Sequence, residues 1–142
     1  GISINYAAHS LDKICYLTQS DIAWATGSCT YLQPGTDVDG SAQMLLRTSS
    51  GISASISLCG YSVVPIDETM LFFANGSLRL HTGSDLSVTC GSGYEAVDTS
   101  SYPNAFEAQW ADFISGVRAG RILYCDGTYG ASIVRTIELL YH

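Results

Sequence analysis

The chain has 142 residues, 46% of them hydrophobic, enough for a real core and too many for a disordered chain. Thirteen acidic against six basic residues give a net charge of -7, which repels phosphate backbones and excludes nucleic acid and anionic membrane surfaces as partners. No apolar run approaches the ~20 residues of a membrane span, and no basic stretch followed by an apolar one suggests a signal peptide.

The chain opens at Gly1 without a Met, inside a structured-looking stretch, which suggests a processed or cut piece of a longer protein. From about Asn5, the apolar positions Ala8, Leu11, Ile14, Cys15 and Leu17 predict an amphipathic helix ending near Thr18 to Asp21. Ile22 to Leu32 reads as a strand, and Gln33-Pro34-Gly35-Thr36-Asp37 as a breaker cluster. Ala42, Met44 and Leu46 alternate with Gln43, Leu45 and Arg47; after the turn Thr48-Ser49-Ser50-Gly51, Ile52, Ala54, Ile56 and Leu58 alternate with serines. Val38 to Cys59 is therefore an antiparallel hairpin with one serine-lined face. Thr69 to Ala74 and Ser77 to His81 form a second hairpin around Asn75-Gly76, and Leu86 to Cys90 is another strand. Gly91 to Asn104 reads as a loop. The next helix carries Phe106, Trp110, Phe113, Ile114 and Val117 on one broad packed face and ends at Gly120, and a last helix, capped by Asp126, buries Ile133, Val134, Ile137, Leu140 and Tyr141.

One helix, about six strands and two helices in a single domain spanning residues 1–142 predict an α+β fold: an open, mostly antiparallel sheet with helices packed on one face. The other sheet face is too apolar to stay bare, so a homo-oligomer through that face is expected. Cys15, Cys29, Cys59, Cys90 and Cys125 are odd in number and scattered, which points to buried free thiols in a reducing cytoplasm; Asn75-Gly76-Ser77 is then a turn rather than a glycosylation site.

The chemistry-bearing residues concentrate in Gly1 to Asp12. Asn5 and His9 stand at i and i+4 on one helical face, with Asp12 on the adjoining stripe, where an imidazole can reach a ligand over the first turn. The plainer alternative makes Asn5 an N-cap, His9 a satisfied histidine and Asp12 a solvated or capping carboxylate. Gly91-Ser92-Gly93 lacks the third glycine and following helix of a phosphate loop, there is no nucleophile elbow, and His9, His81 and His142 are too dispersed to imply a metal site; His81 reads as a strand-end surface residue. Glu68, Glu95, Glu107 and Glu138 suggest no acid–base pair, and Tyr94 and Tyr102 in the long loop carry little weight.

Three local patterns in this order resemble the C-terminal domain of the Gfo/Idh/MocA family of NAD(P)-dependent sugar and cyclitol oxidoreductases. The first is Gly1, Asn5, His9 and Asp12, which resembles the family's G-x-x-x-D-x-x-x-H-x-x-D; the second is the hairpin from Asp37 to Ser57; the third is Phe106, Phe113, Val117 and Gly120 before a helix finishing in Leu139-Leu140-Tyr141. The resemblance implies a fold like the C-terminal domain of glyceraldehyde-3-phosphate dehydrogenase. It also implies a separate N-terminal Rossmann domain that binds NAD or NADP and supplies a catalytic lysine, so that this piece alone binds no cofactor and is inactive. It gives Asn5, His9 and Asp12 to a sugar or polyol substrate, with His9 as the catalytic residue at the hydroxyl that exchanges its proton. Asn5 replaces the family's Asp and cannot take a proton, which leaves open a non-catalytic sugar-binding or assembly module of the same fold.

Overall fold

The computed structural model describes residues 1–31, 35, 37–61 and 63–141. Leu32, Gln33, Pro34 and Thr36, from the predicted strand end and breaker cluster, and His142 lie outside the described residues. The chain divides into two compact units, Gly1–Ser62 with Leu123–His142, and Val63–Ile122.

In the first unit a π turn, Ser3–Ala7, runs into helix α1, Ala8–Thr18. The helical segment thus begins before Asn5. Ile2 stands at its N-cap and makes no side-chain bond there, so the predicted capping role of Asn5 is not found. α1 ends on Gln19 in the left-handed region, φ 50°, whose backbone N–H closes onto the carbonyls of Cys15 and Tyr16. Strands β1, Ile22–Tyr31, β2, Asp39–Thr48, and β3, Ser53–Cys59, form an antiparallel sheet in the order β1-β2-β3. The β2–β3 turn works because Gly51 takes φ 87° while the Thr48 hydroxyl accepts the Ile52 N–H at 3.1 Å.

The pairings Gly27↔Met44 and Met44↔Ile56 place Ala25, Gly27 and Cys29 on the same face as Ala42, Met44 and Leu46 and as Ala54, Ile56 and Leu58. α1 and helix α3, Gly127–Glu138, with the closing 3-10 turn Leu139–Tyr141, cover that face through Leu11, Cys15, Ile133, Ile137 and Leu140. A Cβ on Gly27 would collide with the Gln43 carbonyl and with Leu140, so the glycine sets how closely the closing turn approaches the sheet. Tyr141 and Val134, both expected in the core, keep much of their surface exposed.

The second unit holds strands β4, Glu68–Phe73, β5, Gly76–His81, β6, Asp85–Thr89, and β7, Glu95–Ala96, antiparallel in that order, and helix α2, Ala105–Ala119. The predicted loop from Gly91 to Asn104 therefore contains a short edge strand, which two residues of polar sequence do not announce. The second hairpin turns on Ala74-Asn75 rather than Asn75-Gly76. Phe73 pairs with Gly76, and neither turn residue has positive φ, so the turn is not the one that Asn-Gly favours. Gly76 is instead required by packing, since a Cβ there would strike the Thr89 carbonyl of β6.

α2 is capped as predicted: the Asn104 side chain accepts the Glu107 N–H at 3.0 Å, and Gly120 closes the helix at φ 62°. Its predicted buried face is open, with Phe106 82% and Trp110 65% exposed. An amphipathic period reports a face that can be buried, and within this unit nothing covers it. The fold class is α+β as expected, with the antiparallel pairing divided between two sheets.

Candidate functional site

Ser3, Ala7, Leu11 and Cys15, buried at four-residue intervals, fix the inner side of the first helix. A regular α-helix turns every ~3.6 residues, so each four-residue step overshoots by roughly 40°, and an unbroken run of such steps drifts off the core-facing stripe. The π turn, with its wider i→i+5 ladder, takes up part of that drift at the N-terminal end. Asn5 and His9, both exposed and four residues apart, lie on the side of the helical segment opposite this buried stripe. Both predicted residues are thus on the exposed side of the segment.

Asp12 has a different surrounding. It is half-buried, and its Oδ1 accepts a 2.7 Å hydrogen bond from the Tyr129 hydroxyl, which ties α1 to α3. Burial and this bond to the carboxylate both hold the Tyr129 phenol in its neutral, donating form, its pKa far above the ordinary value. Tyr124 packs on Tyr129 with ring centroids 5.1 Å apart and meets Tyr16 edge-on at 5.8 Å. Cys15 lies beneath, its thiol pKa raised mainly by burial. Tyr129→Phe leaves Asp12 short of a donor and should cost about 1–2 kcal/mol in urea unfolding, with the Tyr124 packing retained.

Asp39 completes the support from the other side. It is 2% exposed, and its Oδ2 accepts the Ser3 backbone N–H at 2.7 Å while its Oδ1 accepts the Tyr141 hydroxyl at 2.9 Å. The carboxylate thus caps a helix whose own N-cap residue offers nothing. Burial pushes the Asp39 pKa up, but the donations from Ser3 and Tyr141 outweigh it and hold the carboxyl below its usual value. The place where a Gly1 Cβ would stand is occupied by this carboxylate, which accounts for glycine there.

Sequence reading missed Asp39 for a definite reason. Strict alternation from Ala42, Met44 and Leu46 points an odd-numbered residue outward, whereas the register shifts between Thr30 and Tyr31, where Tyr31 pairs with Asp39, and the side chain turns inward. Tyr129 gave no signal beyond one among nine tyrosines, and Tyr141 read as a buried helix residue without a polar partner.

In the second unit, His81 is more than a strand-end surface residue. Its Nδ1 lies 3.0 Å from Asp85 and its Nε2 3.4 Å from Glu68, while Arg79 stacks 4.6 Å over the Tyr94 ring and Tyr94 bonds Ser77 at 2.9 Å. These contacts lace β4, β5 and β6. The bond with His81 is also the main cause holding Asp85 below its usual pKa. Tyr102 is exposed. Cys15 is buried and Cys29 half-buried, but Cys59, Cys90 and Cys125 are exposed, so burial as the general state of the thiols is not found. Among the described residues no group of three or more His, Cys, Asp or Glu side chains could hold a metal ion, and no helix is long and apolar enough to cross a membrane.

The family described as GFO/IDH/MocA C-terminal domain matches residues 1–79, more than half of the chain and all of α1 with its π turn. The chain belongs to this family. No curated protein sequence matches it. Among solved structures, this GFO/IDH/MocA domain is similar to a UDP-N-acetylglucosamine 3-dehydrogenase from Acidithiobacillus ferrooxidans at 19% identity and a TM-score of 0.82, covering 99% of this chain and 46% of that one. It is similar to an aldose-aldose oxidoreductase from Caulobacter crescentus, complexed with glycerol, at 21% identity and a TM-score of 0.77, covering 94% and 42%. A levoglucosan dehydrogenase in complex with NADH and levoglucosan is 16% identical with a TM-score of 0.80, covering 97% and 48%. The GFO/IDH/MocA domain thus spans less than half the length of these structures, and the likeness is one of fold.

Proposed function

We propose that this chain is the substrate-binding and oligomerisation domain of an NAD(P)-dependent dehydrogenase that moves hydride between a secondary alcohol of a sugar or cyclitol and nicotinamide. The observation that supports the reading is that Asn5 and His9, four residues apart on one helical segment, are both exposed. Asn5 binds a sugar hydroxyl with its amide. The His9 imidazole takes the proton of the reacting hydroxyl as the carbon gives up hydride, and returns it in the reverse direction. Asp12, engaged by Tyr129, supports the helix beneath the substrate.

Nicotinamide, when bound, accepts or donates the hydride. The residues of this chain do not fit the dinucleotide: its single Gly-x-Gly, Gly91 to Gly93, is exposed between β6 and β7 and opens no helix. The cofactor, NAD or NADP, and a catalytic lysine are assigned to an N-terminal Rossmann domain, and this piece alone is inactive. The protein acts in the cytoplasm.

The full-length protein, assayed with NAD and NADP against levoglucosan, inositol and aldoses, should reduce cofactor with at least one of them. Silence toward all, with sugar binding intact in calorimetry, would favour a non-catalytic binding module, the reading that Asn5 in place of a carboxylate keeps in view.

Self-association uses the outer face of the three-stranded sheet, where Trp24 and Leu45 stand 52% and 58% exposed among Thr26, Ser28, Gln43, Ser55 and Ser57. Leu45→Glu should convert the protein to monomers in light scattering; an unchanged mass would remove this face from the interface.

A further inference from the structure

Only the first turn of the helical segment is π, and that form is rarer than the α-helix and persists where surrounding structure over-determines it. Two anchors bracket it. Downstream, Leu11 and Cys15 sit in the core and Asp12 is bonded to Tyr129. Upstream, the start is tied by the Ser3 N–H bond to Asp39, a residue of β2, and Asp39 is fixed in turn by the Tyr141 hydroxyl from the closing turn. With both ends held, the segment from Ser3 to Ala7 must fit a set span, and Ser3 and Ala7, each fully buried, must both face inward.

We propose that Asp39, with Tyr141 behind it, is a positioning pair that holds the π turn and so sets where Asn5 stands ahead of His9. The link from Asp39 to the turn stands on the geometry alone; its meaning for substrate rests on the site reading above. Without the carboxylate, the upstream anchor is lost, the turn relaxes toward α or frays, and the position of Asn5 relative to His9 changes. His9 itself, beyond the turn and on the packed part of α1, stays in place.

The test is nuclear magnetic resonance on the full-length protein, which needs no turnover. In Asp39→Ala, the amides of Ser3 to Ala8 should exchange at least ~10-fold faster and the Asn5 side-chain amide shifts should move, while the amides of Leu11 to Cys15 keep wild-type protection. Asp39→Asn keeps an acceptor for the Ser3 N–H and a group for the Tyr141 hydroxyl, and should restore both signals. Tyr141→Phe should give an intermediate change of ~3-fold; if Asp39→Ala does not fold, this variant decides the question. A wild-type turn in Asp39→Ala, or in Tyr141→Phe where that variant decides, would overturn the proposal, as would uniform loosening of the whole helix without local change. Failure of the site reading would show separately, as normal kinetics in Asn5→Ala and His9→Ala.

Discussion

His9→Ala in the full-length protein should lower kcat for hydride transfer by roughly 10²–10⁴-fold, the usual contribution of a positioned acid–base group. The loss should come without unfolding. His9 is exposed on the second turn of the helical segment and takes no part in the core, so its removal should move stability by no more than about 0.5 kcal/mol. Steady-state kinetics beside a thermal melt separate the two effects. Asn5→Ala should act mainly on KM, since an amide binds a hydroxyl without exchanging a proton with it. An His9→Ala enzyme with wild-type kcat would remove His9 from the chemistry and leave the domain a binding role.

Asp39→Ala should cost the first unit on the order of 3 kcal/mol, because it leaves the Ser3 N–H and the Tyr141 hydroxyl without their acceptor in a buried place. Urea unfolding followed by the fluorescence of Trp24 reports on this unit. The pH dependence carries its own signature. The folded pKa of Asp39 is depressed, so its contribution is fully present above the unfolded value of about 3.9 and is lost as pH falls through the folded value. The stability gap between wild type and Asp39→Asn should therefore be constant near neutrality and close below about pH 4. A gap that persisted at pH 2 would mean that ionisation of Asp39 is not the source of the difference.

What could be read from residues, and what could not, divides along physical lines. The hairpin from Asp39 to Cys59 was legible because a two-residue period with one buried face admits a single register. The caps of α2 and α3 were legible because Asn104 and Asp126 satisfy backbone donors three residues away, a purely local interaction. Asn5 and His9 could be paired by spacing. The residues that support them could not, because Asp39, Tyr129 and Tyr141 act across the fold, and a register shift put Asp39 on the face opposite to the one alternation assigns. The bare face of α2 marks the same limit: its period showed which residues share a side, and burial depends on what that side meets.

The bond from Tyr141 to Asp39 joins residues 102 apart in the sequence. On the ribosome, α1 and the first three strands emerge before the segment that seals their apolar face, with Ile133, Ile137 and Leu140. At about 5–20 residues per second, the ~80 residues after Cys59 take roughly 4–16 s to appear. For that interval Ala42, Met44, Leu46 and Ile56 lack part of their cover and lie open to neighbouring chains. The nascent protein therefore has a built-in window of chaperone dependence, which closes only once Ile133 to Leu140 have left the ribosome.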